Sequence, residues 1–263
     1  MQTPALRLAG AIGICLLTTA AGCRFPDFLR NNHVAASNSS ADDDISRLSN
    51  RQVADVQFSL ARSLEQQGDS ARAMEAYREV VRNDPRHPLA YWRMAVLHDR
   101  QANFAKSEAL YRQALKADPK SAEIHCDFGY SLYLQSRWAE AEDHLRQSVA
   151  LQAEHRRAHN NLGLLLAQTE RLDEAFVEFR HAGCPDAEAH ANLAFVLTLN
   201  HRWDEARWQY ETALAADPNS TAARSGLESL NGIVAKATPA TGQLTQAAYE
   251  GPASYQPASP QWP

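Results

Sequence analysis

The chain has 263 residues, of which 44% are hydrophobic and 22% are charged, and its formal net charge is −5. These values are typical of a folded protein and exclude a strongly basic or wholly disordered chain. Nucleic-acid binding depends on a basic surface that neutralises phosphates, so no nucleic-acid partner is expected. The length fits one large domain or two small ones.

The first 22 residues have the pattern of a cleavable secretory signal. Arg7 is the only charged side chain before Cys23, residues 8–17 form an apolar stretch, and small residues fill positions 18–22. A weakly positive start, a short apolar centre and a small-residue exit are the parts of such a signal. The apolar stretch is shorter than the roughly 20 residues that a membrane-spanning helix needs. We therefore expect residues 1–22 to be removed on export.

The segment Ala20-Ala21-Gly22-Cys23 resembles the lipobox of bacterial lipoproteins, with Ala20 where that family usually has a larger aliphatic residue. The resemblance implies acylation of Cys23, palmitate included, and a lipid anchor in the membrane. Arg24 follows, whereas an aspartate there retains enterobacterial lipoproteins in the inner membrane. The implied location is the cell envelope, at the outer membrane and facing the periplasm. The alternative is ordinary signal-peptidase cleavage beside a chance cysteine.

Residues 23–50 are polar and irregular in pattern. They include Asn31-Asn32, the run Ser37-Asn38-Ser39-Ser40 and the acidic run Asp42-Asp43-Asp44. No apolar periodicity runs through them, so they cannot bury a face. We expect this segment to be a flexible tether.

Residues 54–220 repeat with a period of 34 residues, as subtraction of residue numbers shows, and the last interval is 31. Four columns keep this period: an apolar residue followed by a small one, a small residue, a large apolar residue and a residue of Val, Ala or Ser type. The columns are Leu60-Ala61, Met94-Ala95, Phe128-Gly129, Leu162-Gly163 and Leu193-Ala194; Ala73, Ser107, Ala141, Ala175 and Ala206; Tyr77, Tyr111, Leu145, Phe179 and Tyr210; Val80, Ala114, Ser148, Ala182 and Ala213.

The pattern of each unit predicts two amphipathic helices joined by a short turn. In the fourth unit Leu162 and Leu166 share one helical face, and Gly163 between them permits a second helix to approach closely. Asp-Pro pairs at 84–85, 118–119 and 217–218 end three of the second helices, because proline disfavours helix at the preceding residue.

These columns resemble the tetratricopeptide repeat (TPR) family. The segments "NNLGLLLAQTERLDEAFVEF" and "ANLAFVLTLNHRWDEARWQYETALAADP" carry its small–large–small pattern nearly intact. The resemblance implies an all-α fold, a right-handed α-solenoid of about five helix pairs with a C-terminal capping helix, in which each pair buries its apolar face only against its neighbours. The predicted solenoid covers 51–234, with repeats at about 54–87, 88–121, 122–155, 156–186 and 187–220 and the cap at 221–234.

Two local features qualify this array. The fourth repeat is three residues short near Gly183-Cys184-Pro185, so its second helix is expected to end nearly a turn early and to change the superhelical twist. The capping helix is expected to stop at Asn231-Gly232. Beyond it, residues 235–263 contain five prolines and only Lys236 and Glu250 as charged residues, which predicts a disordered tail.

In TPR proteins the first helix of each pair lines a concave groove that binds a partner peptide or helix. Asn161 and Asn192 resemble the groove asparagines that hold peptide backbones. The carboxylate clamp of chaperone-binding members does not transfer, because its lysine–asparagine pair would fall on Phe58 and Arg62. Transferred position by position, the resemblance implies a groove for a protein partner formed by Phe58, Arg62, Trp92, Tyr130, Tyr133, Asn161, Asn192 and Phe195.

Nothing in the sequence predicts catalysis. It has no phosphate-binding glycine loop and no Gly-x-Ser-x-Gly motif, so no enzyme, cofactor or small-molecule substrate is expected. His155 and His159 stand four residues apart, as helical metal ligands do, but no cysteine or carboxylate is expected beside them. We therefore expect surface histidines and no metal site. Cys126 and Cys184 are predicted to lie too far apart for a disulfide and to be free.

The leading hypothesis is a non-catalytic scaffold of the bacterial cell envelope, which binds a protein partner during pilus or secretion assembly. Exported TPR lipoproteins of the pilus-assembly and secretin-pilotin kind are the nearest analogues in architecture. The alternative is an accessory factor of cell-wall or polysaccharide metabolism that binds an enzyme or a glycan, because aromatic groove residues also stack on sugars.

Overall fold

The computed structural model describes residues 49–237, and within that range the chain forms eleven α-helices and no β-strand. Ten of them form five helical hairpins, and one helix follows. The hairpins are α1 (Asn50–Gln66) and α2 (Ser70–Asn83), α3 (Pro88–Asp99) and α4 (Phe104–Ala117), α5 (Ala122–Leu134) and α6 (Trp138–Leu151), α7 (Arg156–Gln168) and α8 (Leu172–His181), and α9 (Asp186–Leu199) and α10 (Trp203–Ala216); the last helix is α11 (Thr221–Ala237). The predicted all-α solenoid is confirmed.

The helices stack as nearest neighbours. Each second helix contacts its own first helix and the first helix of the next repeat. From α3 onward each first helix also contacts the next first helix, so the first helices form one continuous side of the array. We call this side the first-helix face. The buried side chains form three clusters along the array, as expected when each repeat packs only on its neighbours.

The small residues of the first column set the distance between the two helices of a pair. A Cβ atom added to Gly163 would lie 2.8 Å from the Phe179 ring, and one added to Gly129 would lie 2.7 Å from Cγ of Leu145. These distances are shorter than real Cβ contacts allow, so only glycine fits beneath these two side chains. The periodic pairing of a small residue with a large one is thus the packing that closes each hairpin.

The fourth repeat is closed differently from the others. Helix α8 has 10 residues whereas α2, α4, α6 and α10 have 14 each, which confirms the predicted early end. Gly183 takes the left-handed conformation (φ +86°), and the Cys184 N–H donates to the carbonyl of Phe179 at 3.1 Å. Arg156 Nε donates to the carbonyl of Ala182 at 2.6 Å and so satisfies an end group of the helix. The proposed change of twist stays a prediction.

The two ends of the array differ from the sequence prediction. Helix α1 begins at Asn50, and Ser49 caps it. The predicted stop at Asn231-Gly232 is wrong, because α11 continues to Ala237. Gly232 does not adopt the left-handed conformation that ends a helix, and the residues around it, Leu230 and Val234, pack into the last core cluster. The predicted signal, Cys23 and the remainder of the tether and tail lie outside the described residues.

A search of residues 49–237 finds no helix that is both long enough and apolar enough to cross a membrane.

One residue in each hairpin turn has a left-handed backbone. In the first repeat it is Gly68 (φ +82°), but in the next four repeats it is a residue with a side chain: Ala102 (φ 55°), Ser136 (φ 59°), Glu170 (φ 65°) and His201 (φ 60°). This conformation closes the end of the first helix, because it lets the next N–H groups reach back to the helix carbonyls. Residues other than glycine are strained there by about 1 kcal/mol or more.

We therefore predict that Ala102→Gly stabilises the protein by about 0.5–1 kcal/mol, since the relief of strain exceeds the entropy that glycine loses. The converse change Gly68→Ala should destabilise it by a similar amount, because a Cβ there meets nothing within 4 Å and only the backbone is affected. Urea unfolding measures both. A loss of stability in Ala102→Gly contradicts the account.

Three consecutive repeats carry a histidine at the fourth position of the repeat, counted from residues 122, 156 and 187, and each faces the residue nineteen places later. His125 faces His144 (Nδ1 to Nδ1, 2.9 Å), His159 faces Glu178 and His190 faces Gln209. The Nε2 atom of His125 lies 3.3 Å from the carbonyl of Pro119, which can only accept. Nδ1 of His125 is therefore the acceptor, and His144 donates to it. Both rings are neutral in this arrangement.

Burial and the charge of its neighbour His125 lower the pKa of His144 to about 4, and burial lowers the pKa of His125. The unfolded chain binds these protons near pH 6.5, before the folded chain does. The stability that this pair contributes is therefore complete above about pH 6.5 and is lost as the pH falls towards the folded pKa.

Between pH 7 and 5 we predict that the free energy of unfolding falls more steeply in the wild type than in His144→Gln. The side-chain amide of glutamine can still donate to His125, but it takes up no proton. Each proton that the unfolded state binds in excess contributes a slope of up to about 1.4 kcal/mol per pH unit. Urea titrations at several pH values measure the slopes, and equal slopes for the two proteins contradict the prediction.

Candidate functional site

An apolar row runs along the first-helix face from the second to the fifth repeat. It is formed by the ninth residue of the second to fifth repeats, counted from residues 88, 122, 156 and 187, and by the thirteenth residue of the third and fifth repeats, which lies one turn later on the same helical face. The row contains Val96, Tyr130, Leu134, Leu164, Phe195 and Leu199, and we call it the first-helix stripe. Phe195, Leu134 and Leu199 are 47%, 46% and 42% exposed, and the other three are partly buried. Within residues 49–237, no segment covers the whole apolar surface of this row.

The centre of the stripe is aromatic. The rings of Tyr130 and Tyr133 are stacked with their centroids 6.0 Å apart, and Tyr133 contacts Trp138 at 5.4 Å. Burial raises the pKa of both tyrosines, so their hydroxyls are uncharged near neutral pH. Tyr133 packs against the core while Tyr130 stays on the stripe. The pair is a rigid, neutral surface of the kind that partner side chains pack on.

Trp92 has a different role from the one its position suggests. Its Nε1 donates to Oδ2 of Asp127 in the next repeat at 2.8 Å, and Arg157 of the repeat after that lies 3.1 Å from Oδ1 of the same carboxylate. Burial raises the pKa of Asp127, although Arg157 and the hydrogen bond from Trp92 oppose that rise. Trp92 therefore connects three repeats, and only part of its ring is available to a partner.

The charged residues near the first repeat are also occupied by contacts between repeats. Glu65, whose side chain is 7% exposed, accepts from Arg93 Nε at 3.0 Å and from the hydroxyl of Tyr77 at 2.9 Å. Burial raises the pKa of Glu65, but the guanidinium of Arg93 outweighs this, and the net pKa is lowered. Asp99 accepts from Tyr111 and from Ser131 at 2.8 Å each. Polar side chains at this end fix the stacking of the repeats.

The other predicted groove residues fall into three groups. Phe58 packs against Tyr77 and His87, with centroid distances of 5.6 and 4.9 Å, so it belongs to the core. Arg62 and Phe195 are exposed.

The amide of Asn161 lies 3.5 Å from the sulfur of Cys126 and that of Asn192 lies 3.8 Å from the sulfur of Cys184. The role of these asparagines in holding a peptide stays a prediction.

Sequence reasoning missed Leu134 and Leu199. Each lies four residues after a ninth-position residue and therefore one turn further along the same face. Both are large apolar residues at the end of a first helix, where the TPR resemblance named no groove position. Their exposure identifies them, and their spacing from Tyr130 and Phe195 is the signal that the sequence contained.

The histidine prediction needs correction. His155 and His159 are buried, not surface residues, and they face different partners. His155 caps α7, accepting from the N–H of Ala158, and its Nε2 lies 3.3 Å from Glu123. His159 lies 2.6 Å from Glu178, so the expectation that no carboxylate is near was also wrong. The fold brings Glu178 from the second helix of the same repeat, which spacing along one helix cannot reveal.

The cysteine prediction is confirmed, since Cys126 and Cys184 are free. Cys126 is fully buried and Cys184 is partly buried. Burial raises the pKa of the Cys126 thiol to about 12 and also raises that of Cys184. Neither thiol is activated for nucleophilic chemistry.

Stacked helical hairpins with an exposed row on one face define a repeat protein of the α-solenoid class. A family model described as tetratricopeptide repeat matches residues 58–122 and 126–182. Among curated proteins, no sequence matches this chain. The chain is thus a tetratricopeptide-repeat protein, and this fold serves as a scaffold for protein–protein interaction.

Solved structures share the fold at low sequence identity. PilF of Pseudomonas aeruginosa has a TM-score of 0.53 and 20% identity, over 73% of this chain and 95% of that one. PilW, described as a widely conserved type IV pilus biogenesis factor, has a TM-score of 0.55 and 21% identity, over 70% and 94%. YrrB, a TPR protein described as having an unusual peptide-binding site, has a TM-score of 0.51 and 19% identity, over 65% and 90%.

Proposed function

We propose that this protein is a non-catalytic scaffold that holds a peptide or helix of a partner protein on the first-helix stripe. The observation that carries the proposal is the exposure of Leu134, Phe195 and Leu199 in one row beside the stacked tyrosines. An apolar row flanked by polar side chains is typical of protein interaction sites. Helices and extended segments bind such rows through side chains spaced along one face.

The two ends of the stripe differ in charge. At the end nearest the first repeat, the ninth residue of the first repeat, counted from residue 54, is Arg62, and the thirteenth residue of the second repeat is Arg100. Both side chains are exposed, and Arg100 lies 3.4 Å from Glu65. The other end has only apolar residues at the same two positions. A partner segment that is apolar along its length and acidic at the end facing repeat one fits this surface best.

The setting that we propose for this scaffold is the bacterial cell envelope. The signal pattern in residues 1–22 and the lipobox resemblance at Cys23 support export and a lipid anchor. Arg24 supports placement at the outer membrane, facing the periplasm. The fold similarity to PilW, a type IV pilus biogenesis factor, supports a role in pilus or secretion assembly, and the similarity to YrrB supports peptide binding.

We predict that Phe195→Asp weakens capture of the partner from detergent-solubilised envelopes at least about tenfold, because replacing an aromatic contact by a charge costs about 2 kcal/mol or more. Trp208→Asp is the matched control. Trp208 is also an exposed aromatic residue (56%), but it lies on the second helix α10. Residues 24–263 serve as bait, and partners are quantified by mass spectrometry.

The wild type and Trp208→Asp should capture the same protein, and Phe195→Asp should not. Equal capture by both variants would mean that binding lies elsewhere and would contradict the site. Retention of the wild type on purified peptidoglycan with no protein captured would contradict the scaffold and favour a glycan ligand.

A separate prediction tests the anchor. In cells, Cys23→Ala should abolish incorporation of labelled palmitate and should move the protein from the membrane fraction to the soluble fraction, because its acyl chains are the proposed attachment. Cys126→Ala is the control, since this thiol is buried within the solenoid. Membrane fractionation and fatty-acid labelling measure the effect, and unchanged labelling of Cys23→Ala would contradict acylation at this residue.

A further inference from the structure

The fourth repeat holds a cluster of three metal-type ligands that lies within one helical hairpin. His159 is on α7, and Glu178 and His181 are on α8, three residues apart and therefore on one face. One ligand atom from each residue lies within 4.8 Å of the other two. His159 is buried, the side chain of Glu178 is 21% exposed, and His181 is exposed, so the cluster opens to solvent on one side.

The hydrogen bonds of His159 decide which of its nitrogens faces the cluster. Its Nε2 lies 2.8 Å from the carbonyl of Ala153, which only accepts, so Nε2 carries the hydrogen. Nδ1 then faces Oε2 of Glu178 at 2.6 Å. Two acceptors at this distance repel each other unless a cation lies between or beside them. That cation is either a proton or a metal ion.

In the neighbouring repeats, the histidine and its partner need no cation between them. His144 donates its ring N–H to Nδ1 of His125, and Nδ1 of His190 donates to Oε1 of Gln209. Among the described repeats, only the fourth pairs its fourth-position histidine with a carboxylate. The imidazole of His181 lies close to this histidine–carboxylate pair, with the ring centroids of His159 and His181 5.2 Å apart. The fourth repeat therefore differs from its neighbours in having side chains of the kinds that bind a metal ion.

We propose that Nδ1 of His159, the carboxylate of Glu178 and the imidazole of His181 bind one divalent transition-metal ion, with water completing the coordination. Two imidazoles and one carboxylate are ligands that Zn²⁺ accepts, and a protein carbonyl on the outer N–H is the usual support of a ligating histidine. Ligand atoms around tetrahedral zinc lie roughly 3.3 Å apart, so the pair at 2.6 Å must open slightly. The exposed His181 can rotate to complete the set.

The position of the site gives the ion a structural role. His181 is the last residue of α8, the helix that is four residues shorter than its counterparts, 10 against 14. An ion bound there joins the shortened end of α8 to α7 and stabilises the hairpin that has lost a turn.

The test is a pair of titrations of the full chain, purified in detergent and freed of metal with a chelator. Zinc chloride should raise the unfolding temperature by about 4 °C or more once it exceeds the dissociation constant about a hundredfold. Calorimetry should show one equivalent bound, and magnesium chloride should have no effect, because Mg²⁺ prefers oxygen ligands. Cobalt should give a spectrum of nitrogen and oxygen ligation without a thiolate band.

His181→Ala should lose the zinc-induced rise in unfolding temperature, and Glu178→Gln should lose most of it. His201→Ala is the matched control, an exposed histidine in a hairpin turn, and it should keep the full rise. The comparison uses the metal-induced change within each variant, so an altered stability of the metal-free protein does not obscure it. No rise in the wild type, an undiminished rise in His181→Ala, or a thiolate band with cobalt would each overturn the proposal.

Discussion

The close approach of the two helices in each pair is the constraint on which the rest of the structure depends. Phe179 and Leu145 are fully buried only because the first helix offers a glycine beneath each of them. Once the pair is closed, its remaining apolar surface must be covered by the next pair, since each repeat buries too little area alone. The stack of hairpins, the continuous first-helix face and the need for a terminal helix all follow from this one packing.

Stacking also decides which residues remain free for function. Glu65, Asp99 and Asp127 lie on the first-helix side, but their partners are arginine, tyrosine, serine and tryptophan side chains of their own or neighbouring repeats. Buried charges of this kind must be paired, and here the pairing fixes neighbouring repeats together. On the first-helix face, the apolar stripe stays partly uncovered, with Leu134, Phe195 and Leu199 exposed, and it is the surface that we propose as the partner site.

The repeat, its period and the short fourth unit could be predicted from the sequence, because side-chain size recurs at fixed spacing. The hydrogen bonds between repeats could not. Trp92 and Phe58 occupy groove positions by number, yet the structure commits one to Asp127 and the other to the core. Asn231-Gly232 has the letters of a helix end but not the conformation, because packing on both sides continues the helix. The cluster at His159 depends on a residue of another helix, which local spacing does not reveal.

The central claim is that a partner lies on the first-helix stripe, and crosslinking in living cells tests it most directly. A photoreactive amino acid is placed at Phe195 in one strain and at Trp208 in another, both of which are exposed aromatic positions in the fifth repeat. A partner bound on the stripe should give a discrete crosslinked adduct from position 195 and none from position 208. Adducts from position 208 alone, or equal adducts from both positions, would contradict it.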